Sequence, residues 1–129
     1  MKSYFYAMEK PGYWRARVLG FRYAFRGIVL LLRYTPHARI HLLATFAVVV
    51  AGIVFEISTA EWATVMVAAG MVWSSEAMNT ALEKLTDLAS PDIHPLAGMA
   101  KDLAAGAVLL ASIFALAVAA FVFIPKIIA

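Results

Sequence analysis

Cysteine is absent from the 129-residue chain, so neither a disulfide framework nor a thiolate metal site can be built from it. Charge is scarce as well: 15% of residues are Asp, Glu, Lys or Arg, against 64% hydrophobic. A soluble domain of this length leaves too much of its surface in water to hide that much apolar area. The composition therefore argues against a soluble globular domain and predicts one integral membrane domain over residues 1–129. No Walker A loop and no kinase-type glycine-rich loop occurs. The first residues, Met1 to Tyr6, lack an immediate apolar run and a small-residue cleavage site, so no signal peptide is expected.

Basic residues are unevenly placed. Eight of the eleven Lys and Arg precede Ile40 (Lys2, Lys10, Arg15, Arg17, Arg22, Arg26, Arg33 and Arg39), with Glu9 the single acid among them. Beside long apolar runs such a segment reads as a membrane-surface contact rather than a nucleic-acid one. From Tyr13 to Tyr34 the period is helical. Arg15, Arg22, Arg26 and Arg33 fall within about 40° of one another, next to an apolar arc of Trp14, Phe21, Phe25, Val29 and Leu32. This predicts an amphipathic surface helix over 13–34, whose arginines either reach phosphate headgroups or form a solvated face. Thr35, Pro36 and His37 end it, because proline removes a donor and restricts the residue before it.

Three apolar segments follow. The first, 38–57, approaches the roughly 20 residues that a bilayer needs; His41 near its start is expected to snorkel or cap rather than to act as a ligand. An acidic turn from Glu56 to Glu61, without Lys or Arg, leads to a second span over 62–83, with Trp62 as an interface anchor. Pro91, Pro95 and Gly98 mark a loop. A third span, 103–124, is opened by Met99 to Asp102 and stopped by Pro125. Its row of Ala104, Ala107, Ala111 and Ala115 suits close helix contact in lipid. The fold expected is an all-α membrane protein, a surface helix plus three transmembrane helices. Positive-inside counting puts the basic helix and residues 83–101 in the cytoplasm and the 56–61 turn outside, with Lys126 dissenting.

The polar residues of the second span are the chemically informative ones. Glu76, Asn79, Glu83 and Asp87 stand at i, i+3, i+7 and i+11, within about 80° on one helix face. Ionisable groups in or beside a membrane span are costly and mark function. Lys101, Asp102 and the arginines of the surface helix converge on the same membrane surface. Carboxylates with an amide are hard oxygen ligands suited to Mg²⁺, and Lys and Arg suit polyphosphate. A carboxylate near an apolar slot can take a proton from a lipid hydroxyl. These are ingredients of phosphoryl transfer. A proton or ion conductor would use intramembrane carboxylates equally well.

The run from Glu76 through Asn79 and Glu83 to Asp87, the stretch from Ser90 to Ala97, and the segment from Ala100 through Lys101 and Asp102 to Val108 closely resemble the bacterial diacylglycerol kinase/undecaprenol kinase family. Tyr23 to Ile28 and Ala38 to His41 extend the resemblance over about residues 14–124. It implies a three-span homotrimeric enzyme of the bacterial inner membrane that uses MgATP to phosphorylate a lipid alcohol, diacylglycerol or undecaprenol. Its active sites would lie across neighbouring subunits at the cytoplasmic interface.

By the same resemblance Glu76 is the general base, Asn79 a polar contact, Glu83 a ligand of the ATP-bound metal, and Asp87 a nucleotide-side acid. Lys101 and Asp102 engage the phosphates. Arg15 or Arg17 makes a basic contact to ATP, the register not distinguishing them. Many members carry a second metal-binding Glu where this chain has Thr35. Either water fills the vacant coordination position, or His37 or another acid substitutes, or metal affinity is weaker. The alternative is a non-catalytic family member, and the expectation is an active enzyme with a raised Mg²⁺ requirement.

Overall fold

A computed structural model describes residues 12–128; the N-terminal aromatic segment lies outside the described residues. Four helices follow one another: α1 (Tyr13–Tyr34), α2 (Pro36–Val54), α3 (Thr59–Ala89) and α4 (Pro95–Ile128). The surface helix has the expected bounds. Nearly all of α1 is exposed apart from Leu31 near its end.

The α1–α2 corner is a single residue. Thr35 is extended (φ −113°, ψ 108°), as the residue before a proline prefers. Pro36 then occupies the first turn of α2, where its missing N–H has no helical partner to lose. Arg39 closes the corner by donating from Nε to the Leu32 carbonyl (3.5 Å) and from Nη2 to that of Arg33 (3.3 Å). Two carbonyls that α1 would leave orphaned are thereby satisfied.

The expected first span, 38–57, ends three residues early. Phe55 and Glu56 are in a turn, and Glu56 adopts a left-handed φ of 49°, a conformation unfavourable for a side chain with a Cβ. Ile57 N–H bonds back to the Gly52 carbonyl (3.1 Å), and the Ile57 side chain is buried. What reads in sequence as an acidic turn is in part a helix cap. Ser58 Oγ accepts from Glu61 N–H (3.3 Å) while Glu61 Oε2 accepts from Ser58 N–H (2.6 Å). This is a reciprocal capping box, of about 1 kcal/mol for the serine alone. α3 therefore starts at Thr59, before the expected 62, and runs on past 83 to Ala89.

The third expected span, 103–124, also lengthens at both ends. Pro125 does not stop α4, which continues to Ile128. A proline so near a helix end forfeits little of the hydrogen-bond ladder. The following Lys126 reaches Glu61 at 3.3 Å, fastening the last turn of α4 to the first turn of α3. The lysine that opposed the topology is thus paired with the acid of the turn it accompanies.

Among the described residues α2 and α4 are long and apolar enough to cross a membrane by composition. α3 has the length, but its carboxylates lower its apolarity. α3 and α4 form the most extensive helix pair. At the Glu61 end lies the small core: Ile57, Val65, Val122 and Phe123, with Phe55, Trp62 and Val118 against it. Trp62, expected as an interface anchor, is half-buried over Gly52 in this cluster. Of the alanine row, Ala104 is buried and Ala111 and Ala115 line the α3–α4 groove, while Ala107 is exposed. The polar face of α3 lies toward the opposite end from this core.

Candidate active site

The four polar residues of α3 descend from interior to surface along one face. Glu76 is 2% exposed and Asn79 8%, Glu83 is half-buried, and Asp87 is exposed. At 1.5 Å per residue this gradient covers about 16 Å. Asn79 Nδ2 donates to Glu83 Oε1 at 3.1 Å, so the amide joins the buried and half-buried carboxylate levels. Its own Oδ1 is buried without a hydrogen-bond partner, as is Glu76 Oε1. An unmatched buried acceptor is costly and needs an explanation.

The second oxygen of Glu76 has a neighbour that the sequence reading did not assign. His41 Nε2 lies 3.8 Å from Glu76 Oε2. The imidazole does not snorkel outward; it faces α3, edge-on to the Trp73 indole with ring centroids 6.4 Å apart. Trp73 Nε1 donates to Thr45 Oγ1 at 3.0 Å, and Thr45 Oγ1 donates to the His41 carbonyl at 2.7 Å. The sequence carries only part of the signal for this pairing: a buried carboxylate needs a partner and His41 is a basic side chain in the preceding apolar stretch, but that it faces Glu76 depends on how α2 packs on α3.

At the exposed end, Lys101 Nζ of α4 donates to Asp87 Oδ1, across the loop that joins the two helices. This hydrogen bond, with the lysine's charge and a smaller effect from Lys84, holds the Asp87 carboxyl below the ordinary aspartate range. The expected convergence of Lys101 on the α3 face is thus present. Asp102 is exposed on α4, with no ion pair among the described residues. Neither Arg15 nor Arg17 pairs with an α3 carboxylate among those residues. Arg17 instead donates to the Tyr13 hydroxyl (2.8 Å) and lies over that ring. Thr35 is buried, its hydroxyl 3.3 Å from that of Thr80, which places the α1–α2 corner beside the polar face.

No group of three His, Asp or Glu side chains is arranged as a ready metal cluster among the described residues. The donors present are hard oxygens, Glu83 with the unpartnered Asn79 Oδ1 beside it. That set fits a divalent cation held by few protein ligands and shared with substrate phosphates.

A buried carboxylate on a long helix, a surface lysine paired with the exposed acid at the far end of the same face, and apolar helices alongside bring polar and apolar surroundings together at one helix. Residues 22–123 match the family described as prokaryotic diacylglycerol kinase. Over 106 residues the chain is 37% identical to the undecaprenol kinase of Bacillus subtilis, covering 82% of this chain and 86% of that one. It is 36% identical over 109 residues to the diacylglycerol kinase of Synechocystis, covering 84% of this chain and 62% of that one. The chain belongs to the prokaryotic diacylglycerol kinase family. It is a lipid kinase. Arg15 and Arg17 fall before the matched residues, whereas Glu76, Asn79, Glu83, Asp87, Lys101 and Asp102 fall within them.

Proposed function

We propose that the protein transfers the γ-phosphate of ATP to the hydroxyl of a membrane lipid alcohol, at the cytoplasmic face of the bacterial inner membrane. The observation that carries this reading is the α3 face itself, grading from buried Glu76 to exposed Asp87 with Lys101 alongside. An apolar acceptor approaches from the bilayer and a charged donor from water, so a site between them needs both environments along one helix face, here over about three turns from Glu76 to Asp87.

Glu76 is the general base: its unmatched Oε1 takes the hydroxyl proton as the lipid oxygen attacks the γ-phosphorus and ADP departs. Lys101 leaves Asp87 for the phosphates and neutralises the charge developing on them. Asp102 orders that lysine, and Asn79 holds Glu83 in place. Glu83 would hold Mg²⁺, which when bound with ATP neutralises and orients the phosphates. One of Arg15 and Arg17 would complete the nucleotide contacts.

In this reading α2, α3 and α4 all cross the bilayer, α3 over about 62–83, and the protein is a homotrimer with sites between subunits. The breadth of exposed apolar surface on α2 and α4 supports lipid and subunit contacts. Of the two acceptors, diacylglycerol leads on the family's description and undecaprenol is the alternative. The near-full mutual coverage with the undecaprenol kinase relative favours testing the polyprenol with equal weight. Lys101→Ala tests the site assignment: ATP-dependent lipid phosphorylation should fall by about 100-fold, and an unchanged rate overturns it.

A further inference from the structure

We infer that His41 is a positioning residue for Glu76, holding Oε2 so that Oε1 is the oxygen presented to the acceptor hydroxyl. The inference rests on the reading of Glu76 as the base.

Three observations converge on it. Glu76 is the largest fully buried side chain among the described residues, and a carboxylate taken out of water requires a compensating charge or hydrogen. His41 Nε2, 3.8 Å from Oε2, is at ion-pair range, slightly longer than a hydrogen bond. The other oxygen, Oε1, is itself buried and meets no donor among the described residues. The two oxygens are therefore distinguished by the protein, one facing a histidine and one left to whatever enters the site.

The imidazole is itself held. α3 presents Trp73 one turn before Glu76, and that indole both packs on the His41 ring and anchors Thr45, which bonds the His41 carbonyl. Histidine and glutamate are thus fixed to each other through two separate contacts between α2 and α3. With side chains 19% and 3% exposed respectively, the histidine is also the more solvent-accessible of the two. On its own helix His41 has His37 one turn before it and Arg39 two residues before it, and from α3 it faces Glu76. Arg39 is directed at the α1 carbonyls, and Glu76 is the one within ion-pair range.

A residue that orients a base affects turnover more than substrate binding. His41→Phe keeps the ring and removes both nitrogens; His41→Gln keeps an N–H donor without the imidazole. In full-length protein, with MgATP and a lipid alcohol acceptor, His41→Phe should lower kcat about 10- to 100-fold with KM for ATP little changed. His41→Gln should recover part of that loss. Added to Glu76→Gln, His41→Phe should cost nothing further, because the two act as one unit. Circular dichroism and nucleotide binding verify that each variant is folded, and the Gln variant carries the test if the Phe variant is not.

Full kcat in His41→Phe while Glu76→Gln is inactive overturns the inference and leaves the base assignment standing. Losses in ATP KM alone, or a full additional loss on top of Glu76→Gln, also overturn it. Full activity in Glu76→Gln overturns the base assignment beneath it.

Discussion

The hydroxyls of Thr35 and Thr80 meet at 3.3 Å, tying the corner between α1 and α2 to the helix that carries the carboxylates. Thr80 follows Asn79 directly, so a side chain at position 35 stands within reach of the α3 polar region. Family members with Glu at this position would bring a further carboxylate there. In this chain the place is taken by a neutral hydroxyl that bonds another hydroxyl.

Thr35→Glu should therefore supply an additional oxygen ligand and lower the Mg²⁺ concentration for half-maximal activity by about tenfold, or ~1.4 kcal/mol. A Mg²⁺ titration of lipid phosphorylation at saturating ATP measures it. An unchanged midpoint in a folded variant would mean that position 35 has no part in metal binding.

Glu76→Gln keeps the shape of the buried side chain and removes its basicity. Turnover should drop by about 10²- to 10⁴-fold, with ATP affinity nearly unaffected because the nucleotide contacts lie one to three turns away. Equilibrium binding of a fluorescent ATP analogue, alongside kcat, separates the two effects. Equal losses in both would point to a structural role for Glu76.

Asp87 and Lys101 are both partly in water, where an ion pair adds little to stability. Asp87→Asn should accordingly leave the melting temperature unchanged. Its expected effect is on ATP use: KM for ATP rises by about tenfold as Lys101 loses the partner that keeps it beside the site. A lowered melting temperature with normal KM would assign the pair to the fold instead.

Much of the fold was legible because it depends on local rules. The α1 bounds follow from Pro36 and the arginine period, and the α3 face from residue spacing alone. The capping box at Ser58 and Glu61 is also local, a serine followed three residues later by a glutamate, although within an acidic turn the same glutamate reads equally as a solvated charge. Pro125 does not end α4 because a proline's effect depends on where it falls in the helix, and the last turn beyond it carries Lys126, whose contact to Glu61 on α3 is not local in sequence. In the site, Glu76, Asn79 and Glu83 came from periodicity, whereas His41 and Thr35 reach the same place from other segments. Their proximity depends on how α2 packs on α3, which no one-dimensional spacing encodes.

Gly52 illustrates the same dependence at the other end of the molecule. A Cβ there would lie 2.6 Å from Cη2 of Trp62, a ring fixed by the Ile57 and Val122 cluster. Gly52→Ala should destabilise the α2–α3 contact by about 1–3 kcal/mol, read as a lowered melting temperature in detergent. Trp62→Leu in the same background should restore part of the loss; no change in melting for Gly52→Ala would show that the indole moves aside freely.

Transfer of phosphate from ATP to a membrane lipid alcohol is the activity proposed for this protein. The direct measurement uses the full-length protein in detergent with Mg²⁺ and γ-labelled ATP, offered diacylglycerol and undecaprenol in parallel. Label should appear in at least one phospholipid product, and the preferred acceptor identifies the branch. Absence of label in both lipids, across a wide range of Mg²⁺ and with ATP shown to bind, would contradict the account.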